Sequence, residues 1–279
     1  MSLFLYCSEK GLTWLREGRL PFFEAASLMD PFVSNMAVKL SEEPIAVSDE
    51  ELRSELKAKY DALPESLSSL MTFEYFKEQA LEKREIIETN IRQRSLPETS
   101  AISLKQQKNL TLLCLYERAD NPALWLYHGA NHQGMVIELD QTHEFFTGPQ
   151  YRGASQMFRP VKYGPERPLK LKDTHPFASL FHRSENFANE GEWRVLRPVA
   201  VSDKKILVDE NPVHLHKIPT SIIKSVTLGV AIAEELKEKL ISLLKADLRY
   251  RNVPIMECRL DPTQYLLHRV PVDRGLGAN

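Results

Sequence analysis

The spacing of apolar positions changes three times along the chain. Residues 3–7 (LFLYC) form an unbroken apolar run, short enough for a buried strand. Ser8 then offers a helix cap, and residues 9–17 carry Leu12 and Leu15 at helical spacing before Gly18 stops the pattern. Residues 19–24 predict a second strand running into the Asp30-Pro31 turn. Over 48–93 the period becomes helical. Ser48 with Glu51 reads as a capping box, Leu52, Leu56 and Tyr60 follow, and Pro64 breaks the run. Thr72 then starts a second helix striped by Phe73, Phe76, Ala80, Leu81, Ile87 and Ile91. From Asn109 onward strands dominate: 110–116 (LTLLCLY), 135–140 (MVIELD), 158–163, 193–197, 205–208, 222–229 (IIKSVTLG), 253–259 and 264–270. A short helix over 122–129 and a long one over 233–248, with Leu236, Leu240, Leu243 and Leu244 on one face, interrupt them. Helices recur too irregularly for strict βαβ alternation. The expected class is α+β, a mixed and mostly antiparallel β core flanked by helices. Residues 1–279 read as a single α+β domain, with 41–100 an inserted helical lobe and 274–279 a frayed tail.

Charge sharpens the picture of the lobe. Residues 41–95 hold thirteen acidic and eight basic side chains, whereas the whole chain of 279 residues has a formal net charge of only -2. Net charge does not indicate a nucleic-acid partner, although it leaves one open. The acidic lobe reads as structural or partner-facing, with a wall of the active site as the alternative. With 43% hydrophobic residues the chain has enough apolar material for a core without staples. Cys7, Cys114 and Cys258 are odd in number and far apart, which fits neither a disulfide framework nor a CxxC zinc site. The first residues carry no basic leader and no apolar run approaches the ~20 residues of a span, so a cytoplasmic protein with no membrane partner is expected. The 11 glycines form neither GxGxxG nor GxxxxGK, and GxSxG and HExxH do not occur.

Three stretches could carry chemistry. His128 and His132 sit four apart, the spacing of a helical metal pair, but Gly129 and Asn131 are poor helix residues and no carboxylate lies between them. No metal is expected there; the imidazoles cap a helix end, bond a buried backbone group, or contact a ligand beside Tyr127. His214 and His216 alternate on a strand and are expected on a solvated face. The third stretch is Glu190-Gly191-Glu192-Trp193-Arg194. In extended chain the two carboxylates share a side about 7 Å apart, which raises one pKa and suits acid/base work or stabilisation of a cation. Trp193 then faces a core. The competing structural reading pairs a glutamate with Arg194 or Arg197. Residues 151–197 hold nine basic against five acidic side chains, which suits an anionic nucleotide.

In their order along the chain these motifs resemble a bacterial family catalogued as domain of unknown function 2971. The matching stretches are Leu5-Tyr6-Cys7-Ser8, Met29-Asp30-Pro31-Phe32, Leu113-Cys114 with Asn121, Trp125 and Tyr127-His128-Gly129-Ala130, then His132 and Gly134. Arg183-Ser184, Phe187, Glu190-Gly191-Glu192-Trp193-Arg194 and 222–229 complete the series. That pattern is similar in turn to the NAD-dependent ADP-ribosyltransferases. The resemblance implies NAD as co-substrate and a toxin or phage-defence setting with an unknown macromolecular acceptor. Under it Glu192 stabilises the cation formed as nicotinamide leaves, and Glu190 positions or activates the acceptor. Tyr127 and His128 hold nicotinamide or ribose, and Arg183 the pyrophosphate. Tyr6, Trp125, His132, Ser184 and Arg194 are the other motif residues expected to line the substrate. Cys7, Met29, Tyr116 and Phe187 stand where the family often has Arg, Asn, Ser and Trp. Two alternatives remain: a non-catalytic module that binds a protein through the acidic lobe, and a metal-independent nuclease or hydrolase using Glu192 and His128. A basic cleft lined by Glu192, Tyr127 and Tyr6 favours the transferase; a glutamate pair buried against arginines favours the module.

Overall fold

The computed structural model describes residues 2–34, 47–68, 70–95, 109–166 and 177–272, so the expected tail 274–279 lies outside the described residues. Eleven strands form the main sheet. They are β1 (Ser2–Cys7), β2 (Arg19–Glu24), β3 (Leu110–Tyr116), β4 (Met135–Asp140), β5 (Met157–Pro160) and β6 (Glu192–Pro198), then β7 (Lys204–Val208), β8 (Asn211–Lys217), β9 (Ile223–Leu228), β10 (Ile255–Leu260) and β11 (Leu267–Pro271). Their order is β7-β8-β2-β3-β1-β4-β9-β10-β11, with β6 joining β3 to β5. Every pairing in this sheet is antiparallel except β9 with β10. A parallel pair needs a long crossover, and α6 (Glu234–Ala246) lies within it, burying Leu240 and Leu244. The α+β class follows directly.

The sheet forks at β3. Along one edge β3 pairs with β6 over its full length, from Leu110 opposite Pro198 to Tyr116 opposite Glu192. Along the other it takes β2 at Thr111 and Leu112, and β1 at Tyr116 alone. Because side chains alternate, Glu192, Arg194 and Leu196 share a face with Tyr116, Cys114 and Leu112. Trp193, Val195 and Arg197 point to the opposite face. On the Glu192 face an aromatic and aliphatic cluster of Phe4, Tyr6, Tyr116, Leu124, Trp125 and Val136 packs under α5 (Pro122–Tyr127). The other face carries the largest core, where Leu113, Leu115 and Val195 meet α1 (Gly11–Glu17) through Leu12, Trp14 and Leu15.

Local expectations and structure differ at three places. Helix α1 starts at Gly11 with Lys10 at its N-cap. Ser8 follows the end of β1, its carbonyl accepting from the Gly11 amide and its hydroxyl from the Lys10 amide, so it stands outside the helix rather than capping it. The stripe from Phe73 to Ile91 divides into α3 (Phe73–Leu81) and α4 (Arg84–Ser95). His214 and His216 are fully buried and not on a solvated face, because their side of β8 is covered: His214 meets Glu24 and Ser202, and His216 packs against Phe22 and Tyr151.

The chain divides into two compact units, Met1–Met36 with Ile102–Pro168 and His175–Asn279, and Ala37–Ala101 with Leu169–Thr174. Within the second, α2 (Asp49–Asp61) begins at the expected capping box, the Ser48 hydroxyl accepting from the Glu51 amide and the Glu51 carboxylate accepting from Ser48. Thr72 caps α3 in the same manner. Leu52, Leu56, Ile87 and Ile91 make this unit's own small core. Replacing Leu56 with alanine is expected to weaken the unit by roughly 2–3 kcal/mol, the low end for such truncations because the core is shallow. Hydrogen exchange checks it: the amides of α2 and α4 speed up while those of β3 and β6 keep their protection.

Candidate functional site

The residues singled out around Glu192 converge on one face of the forked sheet, and arginines organise them. Glu192 is the first residue of β6, only 2% exposed, with its amide donating to the Tyr163 hydroxyl at 2.8 Å. Arg194, two residues on and on the same face, grips it with two prongs: Nε to Oε1 at 2.6 Å and Nη2 to Oε2 at 3.0 Å. The third guanidinium nitrogen of Arg194 donates to the Leu180 carbonyl. Arg183 arrives from the short strand His182–Ser184, and its Nη1 reaches both Glu192 Oε2 at 2.8 Å and Glu190 Oε2 at 2.6 Å. Its Nε donates to Asp30 at 3.1 Å, and the Phe187 ring lies 3.9 Å from its guanidinium carbon. The cluster thus sets three carboxylates against two arginines.

The two glutamates come together by a different route from the one an extended chain implies. Glu190 closes a 3-10 turn and Gly191 adopts left-handed backbone, φ 56°, with its α-carbon close to the Glu117 side chain. A Cβ at Gly191 would be strained by that φ and would sit 3.0 Å from the Glu117 carboxylate. It is the shared Arg183 nitrogen, and not strand periodicity, that brings both carboxylates to one place.

Their protonation differs. Burial opposes ionisation of Glu192, but the Arg194 and Arg183 charges outweigh it and hold its pKa below the ordinary value. For Glu190 burial prevails over the attraction of Arg183, and its pKa is raised. Among the described residues Glu190 Oε1 has no hydrogen-bond partner, whereas both oxygens of Glu192 are taken. Tyr116, opposite Glu192 on β3, has its pKa raised by burial and then by the Glu192 charge. Its ring stacks on His128, centroids 5.4 Å apart. Burial lowers the His128 pKa against the pull of Glu192, so at neutral pH the imidazole is uncharged.

The remaining expected residues divide into core, cap and surface. Trp125 is fully buried and its Nε1 donates to the Ala119 carbonyl at 2.7 Å. Tyr6 packs edge-on against both Tyr116 and Trp125 and donates its hydroxyl to the Arg118 carbonyl. Ser184 caps the 3-10 turn by accepting from the Asn186 amide. Tyr127 turns outward, 69% exposed, away from the aromatic cluster that holds its neighbours. His128 ends α5 as its C-cap, and Ala130, Asn131 and His132 all take left-handed backbone. That conformation breaks the helix between the two histidines, so they do not form a helical pair. His132 stacks on Trp125 instead, with centroids 6.0 Å apart. Among the described residues no group of three or more His, Cys, Asp or Glu side chains could hold a metal ion, and no helix is long and apolar enough to cross a membrane.

Asp30, Tyr163 and Cys114 belong to the cluster and were not singled out as site residues. Asp30 stood out as a turn former and within the Met29-Asp30-Pro31-Phe32 match, and Tyr163 only as a strand residue; their contacts span 153 and 29 positions of chain, beyond any local periodicity. No protein-family model matches the chain, and neither does any curated protein or solved structure.

Proposed function

We propose that the chain is an enzyme resembling the NAD-dependent ADP-ribosyltransferases, with Glu190 rather than Glu192 as its reactive carboxylate. The observation that carries this reading is the unequal engagement of the pair. Glu190 Oε1 has no partner among the described residues and its pKa is raised, while Glu192 is locked by Arg194 and Arg183. An acid/base group works best with a pKa shifted toward neutrality and an oxygen available to the substrate. Glu192 then positions Arg183, which in turn orients Glu190. In NAD cleavage the bond between ribose C1′ and the nicotinamide nitrogen breaks, its electron pair leaves with nicotinamide, and the cation at C1′ is captured by an acceptor oxygen or nitrogen. Glu190 takes the acceptor's proton. Tyr116 is buried behind His128, and the partly exposed His128 imidazole is the flat face on which an aromatic ring would rest.

Nicotinamide release from NAD by the purified protein tests the reading. The wild type is expected to release it, and Glu190→Gln to lose roughly 100-fold or more in rate with an unchanged melting temperature. Glu192→Gln should instead lower the melting temperature. No release and no thermal shift with NAD in the wild type overturns the proposal; loss on Glu192→Gln alone, at unchanged stability, returns the catalytic role to Glu192.

The arginine partners of both glutamates favour the second reading, a non-catalytic module in which this cluster is a structural ion network and the acidic lobe meets a protein partner. With Tyr6 buried and Tyr127 turned outward, the lining of Glu192, Tyr127 and Tyr6 expected of a transferase does not form. Under it the wild type and Glu190→Gln are alike in showing no NAD chemistry.

A further inference from the structure

Strand β6 carries two fully buried arginines on opposite faces, and among the described residues only one of them is hydrogen-bonded to a carboxylate. Arg194 holds the Glu192 carboxylate with two nitrogens. Arg197 is just as inaccessible, 0% exposed, yet its two hydrogen bonds go to neutral oxygens: Nε to Gln156 Oε1 at 2.8 Å and Nη2 to the Phe145 carbonyl at 2.7 Å. Three rings enclose its guanidinium carbon, Tyr151 at 3.7 Å, Phe145 at 4.2 Å and Phe22 at 4.9 Å. Among the described residues its buried Nη1 has no hydrogen-bond partner. His216 packs against two of the same rings, 4.3 Å from Phe22 and 5.5 Å from Tyr151. Both of its buried ring nitrogens are likewise without a partner among the described residues.

Such an arrangement is costly unless something completes it. A buried charge without a counter-charge is disfavoured, and native interiors rarely leave polar nitrogens unpaired. Burial pushes the Arg197 pKa down to about 9 and that of His216 to about 3. A guanidinium does not surrender its proton in a protein, so relief has to come from an acceptor. Neutral His216 presents one N–H for the same purpose.

We propose that Arg197 Nη1 and the His216 ring bind a small monovalent anion of chloride size inside the Tyr151, Phe145 and Phe22 cage. The Asp203 carboxylate acts on both groups but is already paired with Arg152, so one positive charge stays uncompensated and calls for one negative charge. The close approach of the rings limits the ligand to a few atoms. The site lies on the face of β6 opposite Glu192 and is independent of the NAD reading.

Thermal unfolding in sodium chloride against sodium gluconate, at constant ionic strength, tests it. Beyond the dissociation constant each tenfold rise in chloride is expected to raise the wild-type melting temperature by about 3 °C. Arg197→Met and His216→Phe should flatten that slope. Equal slopes in the wild type and both variants overturn the site, as they leave only a general salt effect. Should a variant fail to fold, wild-type crystals grown in bromide decide the matter. An anomalous peak beside Arg197 Nη1 supports the site; an ordered water or nothing at that position overturns it.

Discussion

Replacing Arg194 with methionine is expected to destabilise the protein by about 3–5 kcal/mol, the cost of breaking a buried ion pair by removing one partner. Arg194 and Glu192 are each 2% exposed, so water cannot replace the lost guanidinium. The change strips Glu192 of two hydrogen bonds and leaves the Leu180 carbonyl without its donor. Arg183 stays on one Glu192 oxygen but is already divided among three carboxylates. The double variant Glu192→Met with Arg194→Met should recover part of the loss, because well-packed apolar side chains can replace an entire buried pair at little cost. The pH dependence gives a second check. The folded pKa of Glu192 is lowered, so its contribution to stability is present above the ordinary carboxylate range and is lost as pH falls through the folded value. Without Arg194 the carboxylate binds its proton more readily, and acid unfolding should begin at higher pH. Denaturant titration at several pH values measures both effects; a loss below about 1 kcal/mol would mean that the pair behaves as if solvent-exposed.

Where short-range rules decide, the sequence was legible. The Ser48 capping box, the Thr72 cap and the leucine face of α6 are each set within one or two helical turns, and each appears where the pattern put it. The apolar runs at 110–116 and 135–140 became β3 and β4 at those boundaries. What could not be read is what strand pairing decides. Polar His214 and His216 looked like a wet face, because nothing in residues 211–217 records that Glu24, Ser202, Phe22 and Tyr151 cover them. The candidate site shows the same division. Glu190, Glu192 and Arg194 were visible as one short motif, but Asp30 and Tyr163 enter the cluster through long-range contacts. Tyr116 entered the sequence reading only as a departure from a family pattern, although its place opposite Glu192 makes it central. The stretch from Tyr127 to His132 misled for a backbone reason. Its histidine spacing fits a helix, yet three successive left-handed residues turn the chain back on itself.

That turn leads to the second large effect: Trp125→Ala is expected to cost about 3–5 kcal/mol, as for other buried tryptophans. Trp125 is the post around which the turn winds. Its carbonyl accepts from the His132 amide at 3.2 Å, its ring lies parallel to His132, and Tyr6 meets it edge-on at 5.4 Å. Two glycines permit this closeness. A Cβ at Gly129 would fall 2.6 Å from the Trp125 ring, and one at Gly229 would fall 2.0 Å from the His132 carbonyl oxygen. Truncating the indole therefore opens a void in the middle of the aromatic cluster and leaves the Ala119 carbonyl without its donor. Trp125→Phe keeps an aromatic ring and loses the N–H together with part of the indole's volume, so its cost should be clearly smaller. The comparison separates two roles for Trp125. A substrate-lining tryptophan would leave the melting temperature nearly unchanged on truncation while abolishing the NAD-induced thermal shift. A packing tryptophan lowers the melting temperature in proportion to the volume removed. Full burial and the ring contacts with His132 and Tyr6 support the second outcome, and His128, stacked on Tyr116, is the residue through which this turn meets the Glu190 cluster.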